Sequence, residues 1–172
     1  LYGFAARRGL VSEGLNPARG IEKYPEHRRE RFLTPDELVR IGAAIRAAET
    51  VGIAWDIDET SPTAKHIPKN NRSTIIGAHA AAALRLLIFT GARLREILHL
   101  RWEYVDFVRG LLLLPDSKTG RKTIVLNAPA LAILAELPRV GAYVIAGEKP
   151  NAARADLKRP WQVIARHAGL AG

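Results

Sequence analysis

Apolar residues recur at helical spacing just past Thr34, where Leu38, Ile41, Ile45 and Ala48 fall on one face. The residues before them mark a start. In Thr34-Pro35-Asp36-Glu37 the threonine can cap the helix, the proline suits its first position, and the glutamate can complete a capping box. Thr74 to Phe89 is rich in alanine and leucine and nearly free of charge, which predicts a helix buried on most sides. Thr90-Gly91 interrupts it, and Arg93 to Leu100 continues as another helix, with Leu94, Ile97 and Leu98 apolar. The period then shortens. Val105 to Val108, Leu111 to Leu114 and Lys122 to Leu126 read as short strands joined by turns at Arg109-Gly110 and Pro115 to Arg121. Asn127 can cap a helix running from Ala128-Pro129 to Glu136. Tyr143 to Ala146 reads as a further strand, and Asp156 can cap a last helix bearing Leu157, Trp161, Ile164, Ala165 and Ala168.

Other stretches lack a period. Leu1 to Leu15 reads as a helix tail with Leu1, Phe4 and Arg8 on one face, ended by Gly9 or Gly14. Asn16-Pro17 breaks it, and the charged segment Ala18 to Arg31, with Pro25, reads as a linker at a domain boundary. Thr50 to Ser73 is polar, carries Pro62, Pro68 and Asn70-Asn71, and is expected to be a long loop. Its Asp56, Asp58 and Glu59 lack the glycine and later glutamate of a calcium loop, so they read as a solvated acidic turn. The layout predicts an α+β fold, mainly helical, with helices packed against a small antiparallel sheet.

Charge changes this picture. The 172 residues carry 26 Lys+Arg against 17 Asp+Glu, a formal net charge of +9. Such an excess favours a polyanionic partner, because each neutralised phosphate releases condensed counterions; membrane surfaces and ribosomes fit the same charge. No apolar run approaches the roughly 20 residues that cross a bilayer, and the longest is broken by Arg85. With no signal-peptide pattern, a cytoplasmic protein is expected and no membrane partner. The absence of cysteine excludes disulfides and thiolate zinc sites. There is no methionine either, so Leu1 is not a translation start and further sequence is expected before it.

Two segments combine polar chemistry with a setting that suits it. In Thr90-Gly91-Ala92-Arg93-Leu94-Arg95-Glu96 a glycine turn places Arg93 in the first turn of a helix. There a guanidinium adds to the positive helix end and offers paired N–H donors to a phosphate. Glu96 lies on the same side and can hold it; an ordinary surface Arg–Glu pair would look the same in sequence. In Asp116-Ser117-Lys118-Thr119-Gly120-Arg121-Lys122 a basic turn joins two apolar strands. A lysine at such a tip can deliver a proton to a leaving oxygen, with Arg121 and Lys122 meeting backbone phosphates; a solvated hairpin tip is the plainer alternative.

Taken together and in this order, the segments resemble the tyrosine recombinase (phage integrase) family. Thr90 to Leu98, followed by Leu100-Arg101-Trp102 and Val105-Asp106, resembles the family's first arginine motif. Ser117-Lys118-Thr119-Gly120 resembles its lysine-bearing β-turn, and Thr34 to Leu38 its opening catalytic-domain helix. Leu1 to Pro17 resembles the tail of the helical core-binding domain, and Trp161 with Ala168-Gly169-Leu170 the helix before the next motif. The resemblance implies residues 1–15 as that tail, 16–32 as linker and 33–172 as the N-terminal part of the catalytic domain. It implies Arg93 on the scissile phosphate's non-bridging oxygens, Lys118 protonating the departing 5′ oxygen, and Glu96 in support. Arg95, Ser117, Thr119, Arg121 and Lys122 are then expected to contact DNA. It further implies site-specific strand exchange through a 3′-phosphotyrosyl link, without metal or nucleotide cofactor, on double-stranded DNA and with sister protomers in a tetramer on two duplexes.

The family also needs a His-x-x-Arg segment, a further His or Trp, and a tyrosine nucleophile. His27, His66, His79, His99 and His167 all lack an arginine three residues later. Tyr2, Tyr24, Tyr104 and Tyr143 precede the place where the nucleophile belongs, and Tyr104, Tyr143, Trp102 and Trp161 read as packing residues. Gly172 falls about where the family continues into His-x-x-Arg, so this polypeptide alone is expected not to cleave DNA. Three other readings stay open: a non-catalytic DNA-binding protein on a recombinase scaffold, a type IB topoisomerase-like enzyme, and a basic RNA- or ribosome-associated domain.

Overall fold

A computed structural model describes residues 1–22, 24–25, 31–57, 59–62, 64–70, 72–115, 120–149 and 151–170. The expected linker, the acidic turn at Asp58 and the hairpin tip Asp116 to Thr119 lie partly or wholly outside the described residues. The chain divides into two compact units, Leu1–Phe32 and Leu33–Gly172. In the first, α1 (Tyr2–Arg7) is followed by Gly9 at a φ of 67°, and the Arg8 guanidinium lies 5.2 Å from the centre of the Phe4 ring.

The second unit opens with α2 (Pro35–Thr50), whose start is fixed locally. Thr34 Oγ1 accepts the Glu37 N–H at 3.2 Å, and Glu37 Oε2 accepts the Thr34 N–H at 2.9 Å. Ile41, Ala44, Ile45 and Ala48 form its buried stripe. The expected long loop after it contains a short ribbon instead. Strands β1 (Ile53–Ala54) and β2 (Ser73–Thr74) pair antiparallel, with a 3-10 turn at Ala64–His66 between them. Trp55 Nε1 donates to Thr74 Oγ1 at 2.8 Å and closes the ribbon.

That pairing corrects the start of the next helix. α3 (Ala78–Thr90) begins four residues later than its apolar text predicts, with extended Gly77 as its N-cap. Thr74, Ile75 and Ile76 are all β-branched and favour extended backbone, and Ile76 N–H donates to Ala48 O at 3.0 Å. From Ala80 to Leu84, and again at Leu86, α3 is buried, against α2 on one side and a later helix on the other.

A five-residue α4 (Leu94–Leu98) follows, shorter than the predicted Arg93 to Leu100. Its text continues apolar, but the backbone is diverted. Leu100 O accepts from Val144 N–H at 2.8 Å, Trp102 N–H donates to Ala142 O at 3.1 Å, and Arg101 bridges Tyr143. These isolated bridges are what becomes of the strand expected at Tyr143 to Ala146.

Strands β3 (Val105–Asp106), β4 (Leu111–Leu114) and β5 (Lys122–Val125) make an antiparallel sheet in the order β3-β4-β5. β3 is shorter than predicted because the Asp106 carboxylate accepts the Arg109 N–H at 2.8 Å and its Nε at 2.7 Å, turning the chain through Gly110 at a φ of 65°. In the β4–β5 hairpin Leu112 faces Ile124 and Leu114 faces Lys122. Leu112, Leu114, Ile124 and Leu126 point into the core, while Leu113, Thr123 and Val125 are exposed.

α5 (Ala128–Glu136) is capped as expected, Asn127 Oδ1 accepting from Ala130 N–H at 3.0 Å; it packs on α3. α6 (Lys158–His167) packs on α2. Its N-cap is Leu157, and Asp156 Oδ1 instead accepts the Lys158 N–H at 2.9 Å from one position further out. Trp161, expected to anchor the core, is 40% exposed on this helix, whereas Ile164 is buried. Trp102 is half-buried against the core, with the Arg139 guanidinium 4.5 Å from its ring centre. Among the described residues no helix is long and apolar enough to cross a membrane.

Candidate phosphate-binding site

The turn that presents Arg93 is built from its neighbours. Thr90 Oγ1 donates to Leu86 O at 2.6 Å and accepts from Ala92 N–H at 3.2 Å, tying the end of α3 to the start of the turn. Gly91 takes the left-handed conformation, φ 60° and ψ 17°, which costs a residue with a Cβ and suits glycine. Arg93 then adopts extended backbone and caps α4 rather than occupying its first turn. A helix of five residues has too few aligned peptides to add much field at its start, so any anion grip here comes from the guanidinium itself.

Glu96 is the centre of the cluster. Its side chain is only 7% exposed, against 49% for Arg93 and 33% for Lys122. Oε2 accepts the Arg93 backbone N–H at 2.9 Å and the Lys122 ammonium at 2.8 Å, while Oε1 accepts Arg93 Nη1 at 3.2 Å. Burial alone would push the carboxyl up. The Lys122 hydrogen bond, the Arg93 N–H and the two positive charges outweigh it and hold the carboxyl below its ordinary value. Glu96 is therefore ionised at neutral pH, and the Arg93 side chain is anchored on one edge with the rest open to solvent.

The other expected site residues divide. Arg95 and Arg121 are exposed. Ser117, Lys118 and Thr119 lie outside the described residues. Lys122, expected on DNA phosphates, places its ammonium 2.8 Å from Glu96 Oε2. The period-two pattern held the signal for this, since Lys122 shares a strand face with Ile124 and Leu126, both buried. Among the described residues no cluster of three or more His, Asp or Glu is placed to hold a metal. An open groove of about 650 Å³ between Trp55, Ile75, Lys149, Arg154 and Arg159 shares no residue with this cluster.

No protein-family model matches the chain, and no curated protein does. A solved structure matches: the crystal structure of XerA recombinase, with a TM-score of 0.51 and 14% sequence identity over 82% of this chain. The fold is similar to that of this recombinase. At that identity the likeness speaks for the fold, and the match covers 44% of the recombinase's own chain. In this chain the Arg93–Glu96–Lys122 cluster ties the turn after α3 to the start of β5.

Proposed function

We propose that the chain is part of the catalytic domain of a site-specific DNA recombinase, an integrase-type enzyme that cleaves and rejoins strands through a 3′-phosphotyrosyl intermediate. The observation that carries the reading is Arg93, half-exposed beside a left-handed glycine turn and steadied from behind by an ionised Glu96 whose side chain is 7% exposed. Phosphoryl transfer spreads negative charge over the phosphate oxygens, and a fixed cation that need not reorganise stabilises it. In this reading Arg93 holds the non-bridging oxygens while a tyrosine attacks phosphorus. The bond to the 5′ oxygen breaks, and Lys118 supplies the proton that oxygen takes up. Arg95, Ser117, Thr119 and Arg121 meet the DNA backbone, and no metal or nucleotide takes part.

The reading assigns residues 1–15 to the tail of a core-binding domain, 16–32 to a linker and 33–172 to the N-terminal part of the catalytic domain. His-x-x-Arg and the nucleophile then belong to sequence outside these residues, and the partners are double-stranded DNA and sister protomers in a tetramer.

The deciding experiment uses the intact protein. Arg93→Ala should abolish strand cleavage while sparing most DNA binding, and normal cleavage by that variant sinks the assignment. Lys118→Ala should slow cleavage, with much of the rate restored on a 5′-thio substrate whose leaving group needs no proton. Failure of that rescue removes the acid role from Lys118. An intact protein that binds DNA but never cleaves it leaves the non-catalytic reading standing.

A further inference from the structure

Lys122 occupies the first position of β5 after the hairpin turn, opposite Leu114 and four residues after Lys118. Being on the inward face, its side chain must either climb out to solvent or find a carboxylate. It finds Glu96, on a different element and 26 positions away in sequence. Among the described residues the charged groups facing Glu96 are Arg93, from its own helix start, and Lys122, from the sheet. The two carboxylate oxygens divide the work: Oε2 carries Lys122 and the Arg93 N–H, and Oε1 carries the Arg93 guanidinium.

We infer that Lys122 is a positioning residue of this site: its ion pair with Glu96 orients the carboxylate that aims Arg93, and it ties the base of the Lys118 hairpin to the arginine turn. The inference rests on the recombinase reading for what Arg93 and Lys118 do; the linkage itself rests on the three distances. Lys122 cannot serve Glu96 and a DNA phosphate with equal effect, because leaving Glu96 would strand a desolvated carboxylate with one half-exposed partner. A carboxyl in that position takes up a proton more readily, and a neutral Glu96 holds Arg93 far less firmly. The hydrogen bonds and charge that keep Glu96 ionised agree with this geometry.

The test reads Glu96 directly. In the 172-residue chain, the Glu96 carboxyl is followed by carbon-13 NMR across an acid titration in wild type, Lys122→Met and Lys122→Arg. Lys122→Met should raise the Glu96 midpoint by about one pH unit or more, and Lys122→Arg should restore it. Lys122→Gln, which keeps a donor of similar reach without the charge, is read the same way should the methionine variant not fold. In the intact protein the acid limb of the cleavage profile should move up with the Glu96 midpoint, again restored by arginine. An unmoved Glu96 midpoint overturns the inference, and so does a midpoint that moves while the cleavage profile stays in place. Cleavage that survives Arg93→Ala overturns the functional reading instead, and leaves the titration result standing.

Discussion

Replacing Glu96 by glutamine tests whether charge, rather than shape, holds the arginine turn together. The substitution keeps the volume of the side chain and removes its charge. Its amide oxygen can still accept from Lys122 and the Arg93 N–H, but its amide nitrogen then faces Arg93 Nη1, donor against donor, where 3.2 Å now separates a guanidinium from Oε1. Hydrogen bonds to charged groups contribute about 1.5–3 kcal/mol each in protein interiors. Here Lys122 and Arg93 are a third to a half exposed, and water compensates part of that loss. A destabilisation of about 1–2 kcal/mol is expected, or a fall in Tm of about 2–4 °C per kcal/mol for a chain of this size. The pH dependence gives the sharper check. The folded-state pKa of Glu96 lies below its ordinary 4.5, so its contribution is fully present above that value and is lost as pH falls through the folded pKa. Urea unfolding of both proteins should therefore show the full gap at pH 7 and a shrinking gap in acid below pH 4.5. Equal stability at pH 7, or a gap of constant size into strong acid, would refute the argument that ionised Glu96 is what its neighbours stabilise.

Three other outcomes follow from local geometry. Thr34→Ala removes one half of the α2 capping box and should cost about 1 kcal/mol in urea unfolding, with faster amide exchange at Glu37; unchanged exchange there would count against the cap. Leu112→Ala, at a fully buried position on β4, should cost about 2–5 kcal/mol, and a loss under 1 would mean the sheet does not pack as described. Asp106 accepts first the backbone N–H and then the guanidinium of Arg109, which together hold its carboxyl below the ordinary 3.8. In Arg109→Ala the backbone bond remains, so an NMR titration should still find Asp106 depressed, though less so; a full return to 3.8 would contradict the order of causes.

Much of the fold is legible where the determinant is local. The Thr34 box and the Asn127 cap are each set within four residues, and both form as their text reads. The β4–β5 pairing follows from alternation in Leu111 to Leu114 and Lys122 to Leu126. Errors arise where a distant segment supplies the partner. Nothing between Thr50 and Ser73 announces that Ile53 will pair with Thr74, because two-residue strands have no period to read. The helix expected through Leu100 stops at Leu98 because residues 142–144 claim the backbone beyond it. Three β-branched residues in a row at Thr74-Ile75-Ile76 argue against a helix start that composition alone suggests.

The site shows the same division at finer scale. That Glu96 could reach Arg93 follows from a separation of three on one helix. That the pair would be more than a surface ion pair does not follow from it, because spacing carries no information on burial. The decisive fact is that the folded chain leaves the Glu96 side chain 7% exposed and brings Lys122 of β5 onto its second oxygen. Parity already placed Lys122 on the inward face with Ile124 and Leu126, and an inward lysine demands an acid. What the chain text could not say is which acid, since the choice between Glu96 and every other carboxylate is made only when sheet and helix meet. The arginine's aim is therefore a property of the tertiary fold: a glycine turn sets where its backbone goes, and a lysine from another element sets how firmly its carboxylate anchor is held.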